Sequence, residues 1–183
     1  MTFNKKIAAI AVVVAAAAPA MAFADSANTI NFQGEVTTQT CTVTINGNAA
    51  SPTVLLPTVS TSALATAGSN AGTTNFTVGV TGCTSQASAT PIKTVFVGNQ
   101  VDNNGNLGNT GTAGGVALQL LDPTAPSTPF SLLGATGYAA PGLSLAAGAT
   151  SATHNFAVRY YSAAGSATAG SVLGSVQYAL SYQ

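Results

Sequence analysis

Apolar residues alternate with polar ones along much of this chain, and this pattern limits the possible fold more than any other feature. At the C-terminus the alternating positions are Val172, Gly174, Val176, Tyr178, Leu180 and Tyr182. Side chains two residues apart share one face of a β-strand, whereas a helix brings residues three and four apart onto one face. The alternation therefore predicts strands with one buried face.

Similar short segments recur earlier in the chain. The other predicted strands are Thr29–Val36, Cys41–Ile45, Val54–Leu56, Phe76–Val80, Ile92–Val97, Val116–Leu121 and Phe156–Tyr160. Asn46-Gly47 is a hairpin turn signal, residues 58–72 are expected to form a loop with a little local structure, and Val101–Gly115 an exposed turn region. About seven short strands separated by turns favour a β-sandwich, and no linker divides it.

The first 24 residues have the organisation of a secretory signal peptide. Lys5 and Lys6 form the positive region, residues 7–18 are apolar, and Ala-Phe-Ala at positions 22–24 fits the cleavage pattern. A membrane-spanning helix needs about 20 apolar residues, which is more than this run offers. We therefore expect export, with cleavage before Asp25.

Charged residues make up only 4% of the chain, against roughly 25% in an ordinary soluble domain. After the leader only Lys93 and Arg159 are basic. Nucleic-acid binding and attachment to a lipid surface both depend on clusters of basic residues, so the composition argues against both. Disorder is also disfavoured, because 46% of the residues are apolar.

Cys41 and Cys83 are the only cysteines. In an oxidising compartment, two cysteines favour a disulfide. A bridge that closes a loop of 42 residues stabilises the fold by roughly 4 kcal/mol in the chain-entropy description. A redox or metal pair is a weak alternative, because there is no Cys-x-x-Cys motif and one histidine cannot complete a zinc site.

The sequence offers no plausible catalytic set. His154 has no acidic residue near it in the sequence to orient it as a base. The glycine-rich segment Gly111–Gly115 lacks the Lys-Ser/Thr pair of a phosphate-binding loop. We therefore predict a non-enzymatic protein without catalytic residues, metal, cofactor or small-molecule substrate.

Several motifs together carry a resemblance to a known family. In chain order they are Ile30–Val36, Cys41–Val43, Phe76–Cys83, Gly115–Asp122, Phe156–Tyr161, Gly170 as the fourteenth residue from the end, and the penultimate Tyr182. Their order and spacing resemble the chaperone–usher pilus subunits of the type 1 fimbrial major-subunit (pilin) family. The resemblance covers nearly all of residues 25–183.

This resemblance implies an all-β fold, an incomplete immunoglobulin-like sandwich that lacks its last strand. It divides the chain into a cleaved signal peptide (1–24), an N-terminal donor-strand extension (25–38) and a pilin domain (39–183). The donor-strand residues it implies are Ile30, Phe32, Gly34 and Val36. The residues it implies for the groove and chaperone-binding strand are Gly170, Val172, Val176, Tyr178, Leu180 and Tyr182, with Gly170 beginning that strand.

The function that the resemblance implies is that of a structural subunit of a surface fimbria, which polymerises by donor-strand exchange for cell adhesion. The implied partners are identical or related pilin subunits, a periplasmic chaperone and an outer-membrane usher. A minor adaptor or tip-associated subunit is the nearest alternative. A secreted carbohydrate-binding adhesin would need an added lectin domain, and a secreted enzyme lacks support in the residue inventory. The residues alone also leave open that Thr29–Val36 is the ordinary first strand of the sandwich.

Overall fold

Two antiparallel β-sheets make up the part of the protein that the computed structural model describes, residues 41–49 and 52–182. The strands are β1 (Thr42–Ile45), β2 (Ser69–Thr81), β3 (Thr90–Gly98), β4 (Leu107–Gly108), β5 (Ala117–Leu121), β6 (Tyr138–Leu145), β7 (Ala152–Ser162) and β8 (Val176–Tyr182). The helical element in these ranges is the 3₁₀ helix Thr61–Leu64. No helix among the described residues is long and apolar enough to cross a membrane.

The five-stranded sheet has the order β1-β2-β7-β5-β4, and the three-stranded sheet has the order β6-β3-β8. All the neighbouring strands run antiparallel. Consecutive strands such as β2 and β3 lie in different sheets, so the chain crosses repeatedly from one layer to the other. This arrangement confirms the predicted all-β sandwich.

Phenylalanine rings from both sheets meet in the core between them. Phe96 of β3 packs edge-on against Phe156 of β7, with ring centroids 5.2 Å apart. Phe76 of β2 lies 6.0 Å from Phe156, and Phe130, from the loop after β5, lies 6.3 Å from Phe96. Each strand contributes the side chains of one face, as the alternation requires, and these faces close a single apolar layer.

The first described strand is fixed to its neighbour by a disulfide. β1 pairs with the end of β2, and Thr42 lies opposite Thr81. This register places Cys41 beside Cys83, with Cα atoms 4.3 Å apart and the two sulfurs bonded. The predicted disulfide is therefore confirmed.

The turn after β1 also follows the sequence prediction. Asn46 and Gly47 have φ angles of 51° and 78°, the left-handed conformation that an Asn-Gly hairpin turn requires. The amides of Ile45 and Asn48 each donate to the carbonyl of the other at 2.9 Å. The Asn46 side chain in turn accepts from the amide of Thr77 at 2.8 Å, which ties the turn to β2.

Before β3, one predicted strand and the predicted end of one loop are wrong. Val54–Leu56 is not a strand, because the flanking prolines Pro52 and Pro57 have no amide to contribute to a ladder. The burial still alternates there, since Val54 and Leu56 are half-buried and Leu55 is 82% exposed. The predicted loop 58–72 ends early, because β2 already begins at Ser69.

Two further differences concern segments rich in glycine or proline. β6 went unpredicted because it contains Pro141 and Gly142, which disfavour a central strand, but β6 is an edge strand and tolerates them. Val101–Gly115 is not simply an exposed turn region, because Asn106 and Leu107 are 4% and 3% exposed. Leu107 belongs to β4 and to the core.

Replacing both cysteines, Cys41→Ala with Cys83→Ala, is expected to lower the free energy of unfolding by about 2–5 kcal/mol, because the unfolded chain loses its cross-link. The measurement is urea unfolding of the parent and the variant at equal protein concentration. Reduction of the parent should produce the same loss. Unchanged stability in the double variant would contradict a structural role for the bridge.

Candidate functional site

The last strand lies at the edge of the smaller sheet. β8 pairs along its length with β3, where Leu180 lies opposite Thr94 and Tyr178 opposite Phe96. In the order β6-β3-β8 no described strand follows β8 on its other side. An edge of this kind carries backbone groups that can pair with a further strand.

β8 presents an apolar face to the interior. The half-buried residues packed against the core are Val172, Val176, Tyr178, Leu180 and Tyr182. Between them Gln177 and Ala179 are exposed. Four of the residues assigned to the groove strand by resemblance therefore share the inward face of β8, and Val172 packs against the core from the segment before that strand.

A first cavity of about 530 Å³ opens beside β8. One bank is the segment 52–56, which contributes Val54 and Leu56, and the other bank contains Val176 and Tyr178. The remaining lining residues are Ile45, Ala49, Pro52, Thr53, Phe76, Phe96, Leu107, Leu118, Leu120, Val158, Gly174 and Ser175. The floor thus includes core side chains from both sheets, and no described strand covers the core at this edge.

A second cavity of about 510 Å³ lies further along the same two segments. Its lining residues are Thr58, Val59, Ser60, Thr61, Leu64, Ala113, Val116, Tyr160, Ala167, Thr168, Ala169, Gly170, Ser171 and Val172. The segments 52–61 and 167–178 pass both cavities in opposite directions. We call the two cavities together the groove, and these two segments its banks.

Gly170 does not begin the last strand, contrary to the prediction from resemblance. It lies before β8, in a segment that packs against the loop after β4. A Cβ on Gly170 would lie 2.6 Å from the carbonyl carbon of Thr112, which is too close for any side chain. The glycine is required here by the close approach of two backbones.

The groove has an uncharged lining. No Asp, Glu, Lys, Arg or His lines either cavity among the described residues. The same part of the chain contains no cluster of three or more His, Cys, Asp or Glu residues that could hold a metal ion. A mostly apolar, uncharged groove beside a strand edge has the chemistry to bind an apolar β-strand.

The structure supplies an acidic partner for His154 that the sequence did not indicate. Asp122, distant in sequence, places its Oδ2 3.3 Å from His154 Nε2. The His154 ring also packs edge-on against Phe156, with centroids 4.7 Å apart. This pair lies outside the two cavity linings, and it holds the end of β5 against β7.

The pKa of Asp122 lies below its ordinary value, chiefly because Thr124 stabilises the ionised carboxylate. The Thr124 hydroxyl donates to Asp122 Oδ1 at 2.6 Å, and the Thr124 amide donates to the same oxygen at 2.8 Å. His154 contributes in the same direction to a smaller extent. A carboxyl group whose pKa is lower in the folded than in the unfolded chain stabilises the fold at pH values above its unfolded-state pKa. This stabilisation is lost as the pH falls through the folded-state pKa.

Thr124→Val is therefore expected to raise the pKa of Asp122 and to move the acid-side loss of stability to higher pH. The pKa is measured by NMR titration of the carboxyl carbon, and stability by urea unfolding between neutral and acid pH. The matched control is Thr128→Val in the same loop, whose hydroxyl donates to Ala125 O instead. An Asp122 pKa that is the same in parent and Thr124→Val would contradict the assignment.

Solved structures identify the class of this fold. The crystal structure of the P pilus rod subunit PapA matches with a TM-score of 0.53 and 18% identity, over 78% of this chain and 99% of that one. A subunit from the structure of a chaperone–usher pilus matches with a TM-score of 0.53 and 18% identity, over 90% of this chain and all of that one. The described sandwich is thus the immunoglobulin-like fold of pilus subunits.

Sequence comparison gives the family. The fimbrial protein family matches residues 30–183. The F17 fimbrial protein of Escherichia coli is 35% identical, over 84% of this chain and 86% of its own length. The major fimbrial subunit SMF-1 of Stenotrophomonas maltophilia (strain K279a) is 40% identical, over 91% of this chain and 98% of its own. This chain belongs to the fimbrial protein family, and it is a structural pilus subunit of an extracellular surface fimbria that assembles with other subunits.

The implied donor-strand residues, Ile30, Phe32, Gly34 and Val36, lie outside the described residues, as does the leader. Of the groove itself, the sequence indicated only the bank that contains β8. The opposite bank was missed because the pattern of Val54–Leu56 predicted a short apolar strand. Its short alternating pattern between Pro52 and Pro57 was the available signal.

Proposed function

We propose that this subunit polymerises by donor-strand exchange, in which the groove of one copy receives residues 28–37 of the next. The observation that carries the proposal is the edge of β8 that no described strand covers, beside a mostly apolar and uncharged groove. Pairing by strand addition is known from chaperone–pilin donor-strand complementation. An inserted strand would continue the smaller sheet beyond β8 and cover the floor of the groove.

The donor segment has the pattern that such a groove requires. In an extended strand, Ile30, Phe32 and Val36 would occupy one face, together with Gly34. Burial of each large side chain contributes at most roughly 1.5–3 kcal/mol, and each main-chain hydrogen bond adds about 0.5–1.5 kcal/mol. The carboxylate of Glu35 falls on the opposite face and stays in water.

The geometry of this contact produces a filament. The donor segment and the groove are different surfaces of the same chain, so each filled groove leaves a further donor segment and a further groove available. A heterologous contact of this type continues as an open fibre unless a rotation closes it into a ring. The chain then needs no second interface to polymerise.

The apolar groove also accounts for the remaining partners. A newly exported subunit with an open groove exposes apolar surface that promotes aggregation. A periplasmic chaperone would cover the groove and so prevent this aggregation. At an outer-membrane usher, the donor segment of the next subunit would then replace the chaperone. The scheme uses residues 1–24 as the cleaved signal peptide, 25–38 as the donor extension and 39–183 as the pilin domain. It requires no catalytic step, so we assign the chain a non-enzymatic role.

We further propose that this is the major subunit, since the major fimbrial subunit SMF-1 matches over 91% of this chain. A minor adaptor or tip-associated subunit would share the groove and differ in abundance. Quantifying this chain in sheared filaments distinguishes the two roles.

Gly34→Leu is expected to be exported and held by its chaperone, yet nearly absent from filaments. A leucine side chain on the buried face of the donor strand would overpack the groove at a cost of roughly 1–3 kcal/mol, and every junction repeats the defect. The measurement is the yield of sheared filaments relative to total periplasmic subunit.

The matched control is Glu35→Gln, one residue further along the same strand. It should assemble almost normally, because an exposed charge contributes little to stability. If Gly34→Leu polymerises as well as the parent, residues 28–37 are not the donor strand and belong to an ordinary first strand.

A further inference from the structure

The Asn/Gly-rich stretch after β3 contains one side chain with an unusual number of backbone contacts. Asn109, directly after β4, is half-buried. Its Oδ1 accepts from the amides of Gly111 and Leu173, each at 2.8 Å. Its Nδ2 donates to the carbonyl of Ala113 at 2.7 Å and to that of Ser171 at 3.4 Å. One side chain thus joins the loop after β4 to a bank of the groove.

These contacts meet the bank between the residues that line the two cavities. Val172 lines the second cavity and Gly174 lines the first. Leu173, whose amide donates to Asn109, lies between them. Asn109 therefore fixes the bank at the point where a bound strand would pass from one cavity to the other.

The bank has no strand ladder of its own at this point, because β8 starts only at Val176. The loop after β4 holds it instead. The amide of Thr110 donates to the carbonyl of Leu173 at 2.8 Å, and that of Ala113 donates to Ser171 at 3.0 Å. The approach is close, since a Cβ on Gly111 would lie 2.6 Å from the carbonyl carbon of Ser171.

We propose that Asn109 is a positioning residue for strand capture, which keeps the bank at residues 171–173 in place while the groove is empty. The proposal rests on the proposed function, because it assumes that the groove receives a donor strand. Asn109 would not touch the donor. It acts by holding the backbone of Leu173 against the loop after β4.

The effect of Asn109 should be larger before the groove is filled than after. In the empty groove, the loop after β4 holds the bank from one side. A bound donor strand packs against the same bank from the groove side and holds it too. Loss of the Asn109 contacts should therefore slow capture more than it weakens the filled subunit.

The test uses the chain purified from the periplasm, unfolded with its disulfide intact and refolded with an excess of a synthetic peptide of residues 28–37. Two quantities are measured: the rate of peptide capture, and the unfolding rate of the peptide-filled subunit. Asn109→Ala should capture the peptide about tenfold more slowly, equivalent to about 1.4 kcal/mol. Its filled form should unfold less than about threefold faster than the parent.

The matched control is Asn155→Ala, which removes an exposed hydrogen bond that the Thr77 hydroxyl donates to Asn155 Oδ1 in the five-stranded sheet. Neither rate should change by more than about twofold in this variant. Hydrogen exchange of the parent gives a measurement that needs no variant, because the amides of Gly111 and Leu173 should be protected before peptide is added.

Four results would overturn the proposal. Capture by Asn109→Ala at the parent rate, or a filled subunit weakened by the same factor as capture, rejects the positioning role alone. Rapid exchange of the Gly111 and Leu173 amides in the unfilled parent also rejects it. A parent that captures no peptide rejects both the positioning role and donor-strand exchange.

Discussion

Among the described strands, β8 pairs with β3 on one edge and with no strand on the other, and the groove lies at that second edge. On the β3 side its register is continuous from Val176 to Tyr182. On the other side the two cavities reach core residues such as Phe76 and Phe96. A sandwich normally closes this position with a strand, because unpaired backbone groups and apolar surface are both unfavourable in water. The described fold thus lacks a strand beside β8 among its described residues.

The scarcity of charge is consistent with such an edge. A charged group in the groove would have to lose its water when a strand binds, at a considerable cost. The described charges lie elsewhere: the pKa of Arg159 is lowered by burial, and its guanidinium donates to Gln119 at 2.9 Å. The carboxylate of Asp122 interacts with Thr124 and His154. An uncharged groove of this kind suits a ligand that binds by apolar contact and main-chain pairing.

Much of the fold could be predicted because it depends on local signals. Period-two alternation indicated the inward face of β8, and the Asn46-Gly47 pair indicated the turn after β1. β6 was missed because Pro141 and Gly142 disfavour a strand, and only a position at the edge of a sheet tolerates them. The His154–Asp122 contact and the contact of Asn109 with Leu173 join residues distant in sequence. No sequence spacing predicts either contact. The bank at Val54–Leu56 follows the alternation but lacks the pairing that defines a strand.

The central claim is that the sandwich is completed by a strand from outside the domain. It is tested most directly by the stability of the chain without residues 25–38, with and without a peptide of residues 28–37. The account predicts low stability alone and a free energy of unfolding that rises with the logarithm of peptide concentration, as for any ligand that binds only the folded state. Cooperative, reversible unfolding at the stability of the longer chain, unchanged by peptide, would contradict it.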